Sequence, residues 1–246
     1  GGGVGGGEVG LVRRGERPPL VEMVGGSASL EEVRALLDQE GTDVNACDSA
    51  GERYAAIHYA AWDGKMEILR LLIDRGAEVS IMGSDGWQSI HLAAGNGHTK
   101  EVEVLLLAGA EVDRRLPPAE NPYDPVDGTT ALRTAVLNSH WEIVDLLEAA
   151  EADLGILLEP CSGGSADFPV QEGQDFCEAI TALAQSDPSP VRGFDPARLE
   201  ALQSRAVSQA SSNAPATDGL DVPVEVEVAA EEEEEGSVFE LFGITD

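Results

Sequence analysis

Residues 55–80, AAIHYAAWDGKMEILRLLIDRGAEVS, and residues 88–113, QSIHLAAGNGHTKEVEVLLLAGAEVD, align without a gap. His58 and His91 stand 33 residues apart, as do Gly76 and Gly109; Ala60-Ala61 matches Ala93-Ala94, and Leu71-Leu72 matches Val104-Leu105. A further copy, DGTTALRTAVLNSHWEIVDLLEAAEADL, follows at an offset of 42, with Ala135, His140 and Leu146-Leu147 in register and Arg133 where the histidine stood. Upstream, SLEEVRALLDQEGTDVNA matches only the second half of the unit, through Leu36-Leu37 and Gly41. A repeat of this length leaves a chain few options. Each unit is one supersecondary element too small to bury its own apolar face, so units must stack to make a core.

Within a unit the apolar spacing predicts two short antiparallel helices. Ile90, Ala93 and Ala94 fall at i, i+3 and i+4, the small alanines allowing close approach, and Val102, Leu105 and Leu106 repeat the pattern after the break at Asn96-Gly97. Gly109 lies where a left-handed helix end needs a residue without Cβ. The best copy reads Gly86-Trp87-Gln88-Ser89-Ile90-His91-Leu92-Ala93-Ala94, then Gly97-His98 and Gly109-Ala110, and so resembles the ankyrin repeat. The resemblance covers about residues 27–154, four units. It departs from the family pattern at Gln88 and Ser89, where Thr-Pro is usual, and at Arg133. It implies an all-α, helix-turn-helix solenoid with β-turn fingers, in which His58 and His91 make hydrogen bonds between neighbouring units. The first copy lacks a recognisable first helix, and the last has Glu151-Ala152 for Gly-Ala; both departures suit terminal caps.

Catalytic signatures are not found in this reading. Gly95-x-Gly97 is a helix–helix turn, and GGGVGGG at the start has neither the preceding strand nor the following helix of a dinucleotide fingerprint. His58 and His91 sit on different units with no carboxylate or cysteine at ligand spacing. We therefore expect no enzyme, no cofactor and no metal site. Trp141 heads a helix and reads as packing. Cys47, Cys161 and Cys177 form no C-x-x-C pair, which suggests an intracellular, reducing compartment: cytoplasm, nucleus or organelle stroma. No apolar run approaches the ~20 residues of a membrane span, and the glycine-rich start shows no signal-peptide core. Because the chain does not begin with Met, an upstream piece is an open expectation.

The formal charge is −31. Residues 25–154 carry 24 acidic against nine basic residues, and residues 155–246 carry 19 against three. Such a balance repels nucleic acid and anionic lipid and attracts basic proteins, although solubility alone would also account for it. The resemblance places partner contacts along the concave face, at Trp62, Asp63, Met82, Ser84, Asp85, Trp87, Asn96, Arg115, Thr129, Leu137 and Asn138. Solvent-facing tryptophan is a preferred interface anchor; the competing reading lays each ring over its own repeat. The nine-residue excess, within RRLPPAENPYDPVD, is a proline-stiffened loop that adds Tyr123.

Beyond the repeats, Phe176, Ile180 and Leu183 fall at helical spacing. Asp195-Pro196 opens a second helix with Leu199, Leu202 and Ala206 on one face. We expect both to dock as an end cap rather than fold only on binding. From Ser211 the composition is that of a disordered acidic tail, with glutamates at 231–235 and an apolar cluster around Phe239 and Phe242 that suits a docking peptide or an incidental tail. The expected organisation is thus 1–24 glycine-rich and flexible, 25–154 ankyrin repeats, 155–210 linker with short helices, and 211–246 acidic tail. The expected function is a non-catalytic adaptor or scaffold for a protein partner with a basic surface. Two alternatives are carried: a structural subunit of a large multiprotein assembly, and a chaperone or inhibitor masking a basic nucleic-acid-binding protein.

Overall fold

Four helix pairs run through the repeat region. In this computed structural model the described residues are 17–49, 53–116, 128–159, 175–186 and 193–213. The pairs are α1 (Pro19–Gly25) with α2 (Leu30–Leu37), α3 (Ala56–Trp62) with α4 (Met66–Asp74), α5 (Ser89–Gly95) with α6 (Thr99–Leu107), and α7 (Ala131–Leu137) with α8 (Trp141–Ala149). The first helices pack in the order α1, α3, α5, α7, and the second helices in the order α2, α4, α6, α8, so each unit packs against its neighbours in the chain. The fold is helical, and no helix among the described residues is long and apolar enough to cross a membrane.

At seven to nine residues, α1 to α8 are too short to persist alone in water. They are held by one continuous apolar core in which Ile57, Leu69, Leu72, Ile90, Leu105, Leu132, Ile143 and Leu147 are almost wholly buried. Ala60, Ala61, Ala93, Ala94 and Ala135 are fully buried, as close approach between first helices demands. Turns between units extend as fingers, each pinned by a backbone bond: Asp48 N–H to Tyr54 O (2.9 Å), Gly83 N–H to Trp87 O (3.0 Å) and Leu116 N–H to Thr129 O (2.9 Å).

The stacking register is written in polar contacts. His58, His91 and Arg133 occupy equivalent places, and each donates to a backbone carbonyl 23 residues ahead: Nε2 of His58 to Ile81 O (3.1 Å), Nε2 of His91 to Arg114 O (2.9 Å), and Nη2 of Arg133 to Ile156 O. Backwards ties come from the helix–helix turns. Nε2 of His98 donates to Trp62 O (2.9 Å), Nε2 of His140 to Gly95 O (3.1 Å), and Nζ of Lys65 to Val24 O and Gly26 O (both 2.6 Å). The imidazoles of His98 and His140 lie against Gly64 and Gly97, where an added Cβ would come within 2.7 Å of the ring. Both glycines also have positive φ (67° and 78°), so they are required twice over.

Two boundaries differ from expectation. The first unit does have a first helix: α1 lies inside the segment read as flexible, and buries Leu20, Val21 and Val24 against α3. It escaped the sequence because it carries neither the alanine pair nor the histidine of the other copies, and its stability comes from docking. After α8, a 3₁₀ segment (Leu154–Leu158) leads to α9 (Phe176–Ser186) and α10 (Pro196–Asn213). These helices cover the last unit, as expected of an end cap, with Phe176, Ile180, Leu199, Leu202 and Ala206 buried. Asp195 Oδ1 caps α10 by accepting the amides of Ala197 (3.0 Å) and Arg198 (3.2 Å). At 18 residues α10 is not a short helix, and it carries the ordered chain to Asn213, past Ser211 where the acidic tail was expected to start. The Leu183 side chain lies outside the described residues, and so does the tail from residue 214 onward.

Candidate partner-binding groove

The inner ends of α1 and α3 and the first two fingers enclose a groove of about 640 Å³ lined by Arg17, Gly25, Tyr54, His58, Tyr59, Trp62, Asp63, Asp85, Trp87 and Leu92. Four residues read from the sequence, Trp62, Asp63, Asp85 and Trp87, are brought together here. Trp62 ends α3 with half its surface exposed (50%). Trp87 is half-buried, edge-on to His91 at 6.0 Å between ring centroids.

The same groove contains residues the sequence reading missed. Tyr54 stacks on His58 at 4.8 Å and meets Tyr59 edge-on at 6.0 Å. Arg17 lies over the Tyr59 ring (5.5 Å), and its Nε donates to Oδ2 of the buried Asp48 at 2.8 Å. The signal was present in the register: Tyr54 precedes Trp87 by 33 residues, and Tyr59 lies one helical turn before Trp62.

Two carboxylates face the groove. Asp63 pairs with Nζ of Lys65 at 2.7 Å. Asp85 is fixed by neutral donors, the Tyr54 hydroxyl to Oδ2 at 2.6 Å and the Trp87 amide to Oδ1 at 3.2 Å. Beneath them, His58 and His91 are held neutral. Nδ1 of each accepts a backbone amide, from Ala55 (3.0 Å) and Gln88 (3.4 Å), which leaves the proton on Nε2 for the carbonyl ahead. Burial lowers both imidazoles below the ordinary histidine range, His91 to about 4.

The remaining sequence-derived residues are scattered. Met82 is exposed and its sulfur accepts from Nη2 of Arg114 at 3.1 Å. Ser84 is exposed at the tip of the same finger. Asn96 and Asn138 fold back onto Leu92 O and Thr134 O (both 2.9 Å), closing the C-termini of α5 and α7. Arg115 makes a two-pronged pair with Glu159, both contacts 2.7 Å, which holds the Glu159 carboxyl below its usual range. Leu137 is half-buried. Thr129 is a correction: at 3% exposure it is buried, its carbonyl accepting the Leu116 amide at 2.9 Å where the finger closes on the last unit. Tyr123, Phe239 and Phe242 lie outside the described residues. Among the described residues no group of three His, Cys, Asp or Glu side chains could hold a metal ion.

Short helix pairs in a single file, with fingers beside an indented inner face, define a solenoid of the protein-binding type. Over residues 20–116 the array is of the ankyrin-repeat kind: these residues match the family described as "Ankyrin repeats (3 copies)". The α7–α8 pair continues the same geometry beyond the matched residues through the Arg133 contact. Similar proteins include the probable E3 ubiquitin-protein ligase XBOS32 of rice (Oryza sativa subsp. japonica), 30% identical over 49% of this chain and 22% of that protein. The human BCL-6 corepressor-like protein 1 is 32% identical over 49% of this chain and 6% of its own length. The human Notch-regulated ankyrin repeat-containing protein is 31% identical over 25% of this chain and 54% of its own. The chain thus spans a minor part of the first two relatives and about half of the third. Ankyrin repeats mediate protein–protein interaction.

Proposed function

We propose that this chain is a non-catalytic adaptor or scaffold that holds a protein partner with a basic surface along its concave face. The observation that carries this reading is the groove, where Tyr54, Tyr59, Trp62 and Trp87 gather beside Asp63 and Asp85. Aromatic rings supply contact area at little entropic cost, and a carboxylate rim selects for cationic guests. The formal charge of −31 adds long-range attraction for such a partner.

The test is affinity capture with the full chain, with the chain lacking residues 231–246, and with Trp62→Ala. A stoichiometric partner whose cross-links map to the groove, and whose recovery falls with Trp62→Ala, supports the reading. Unchanged recovery from the Trp62→Ala chain would remove the concave face from it. The truncated chain shows whether the acidic tail contributes.

A further inference from the structure

We propose that the groove is a guanidinium site, taking one arginine side chain of the partner against Trp62 and Trp87 with its N–H groups on Asp85. This deepens the protein-binding reading and rests on it. The chain itself shows how it holds guanidinium groups. Arg17 lies over Tyr59 at 5.5 Å and donates to Asp48 at 2.8 Å. Arg198 lies over Trp141 at 5.6 Å and donates to Asp145 at 2.7 Å. In both, one ring face and one carboxylate receive the same planar cation.

The groove repeats that pairing. Asp85 and Trp87 are tied together by the amide-to-carboxylate bond at 3.2 Å, and Trp62, half its surface exposed, lines the same groove. The Asp85 carboxylate accepts from Tyr54 and Trp87, both uncharged, and two oxygens have capacity for about four hydrogen bonds. An arginine can stack on a ring and donate sideways to a carboxylate at once; an ammonium, being a point charge, gains from only one of these at a time. About 640 Å³ exceeds one side chain, so residues flanking the arginine enter as well.

The experiment uses the full chain, its three indole N–H resonances, and the peptide acetyl-Gly-Arg-Gly-amide against its citrulline counterpart, which has the same shape and no charge. The expected result is saturable movement of the Trp62 and Trp87 resonances while Trp141, already paired with Arg198, stays still. Citrulline should bind at least about ten-fold more weakly, as should the arginine peptide to Trp62→Ala or Asp85→Asn chains of unchanged helical circular dichroism. Silence at Trp62 and Trp87, an equal response to citrulline, or undiminished binding by both variants would overturn the site. If the peptide is silent while a captured partner is still lost on Trp62→Ala, the guanidinium site fails and the protein-binding reading survives. If the peptide binds but no partner depends on the groove, the reverse holds.

Discussion

His91 illustrates how a single side chain sets both register and pH response. Its folded-state pKa of about 4 lies below the ordinary histidine value, because burial disfavours the imidazolium. Above about pH 6.5 neither folded nor unfolded chain binds the proton. Between about 6.5 and 4 the unfolded chain takes it up and the folded chain does not, so stability falls as pH drops through that window, by roughly 3 kcal/mol in full. His58 acts in the same direction. We expect the urea midpoint to drop more between pH 7 and pH 5 for the native chain than for His91→Asn, which cannot take up the proton. Equal drops would contradict this assignment. Ser139 and Glu151 are a second residue-scale case. They hold φ of 59° and 63° where the earlier units use glycine. No following imidazole packs against Ser139 as His98 and His140 do against Gly64 and Gly97. At Gly76 and Gly109, the counterparts of Glu151, an added Cβ would meet nothing within 4 Å; in both places the left-handed backbone alone remains as the cost. Ser139→Gly and Glu151→Gly should each raise stability by roughly 0.5–1 kcal/mol in urea titration, and a loss in either would count against the backbone argument.

At the scale of elements, the ends of the stack were the hardest to read. The periodicity of the α3–α4 and α5–α6 pairs was legible because identical landmarks recur in them; α1 was not, because PLVEMVG buries only Leu20, Val21 and Val24 and has no capping side chain. What holds it is the Lys65 ammonium on Val24 O and Gly26 O from the next unit, a contact no local pattern encodes. At the other end, Arg133 replaces histidine because the carbonyls it must reach, Ile156 and Glu159, belong to the cap, and the longer guanidinium also lies 4.9 Å over Phe176. The cap is fastened further by Arg198–Asp145 and Arg205–Glu148, and by Gln209 on the backbone of Ala152 and Leu154. Leu202→Ala, emptying a site 1% exposed beneath α10, should cost about 2–4 kcal/mol. Hydrogen exchange should show protection lost first in α8–α10. A uniform loss across all four units would mean that the cap and stack unfold as one.

For the molecule as a whole, composition and period gave the architecture and the sign of the field, and the geometry gave the groove. Trp62 and Trp87 stood out in the sequence because tryptophan at positions expected to face solvent is unusual. Tyr54, Tyr59 and Arg17 did not: a side chain's role in a groove between units depends on how far each first helix recedes behind its finger. Thr129 was misread for that reason. The central claim is that a groove of rings and carboxylates holds a basic partner. Its most direct measurement is the dissociation constant of the captured partner for the full chain and for the Trp62→Ala/Asp85→Asn double variant, at about 50 and about 300 mM salt. We expect the native chain to bind more weakly as salt rises, and the double variant to be at least about ten-fold weaker than it at low salt. Affinity indifferent both to salt and to the two substitutions would contradict the account.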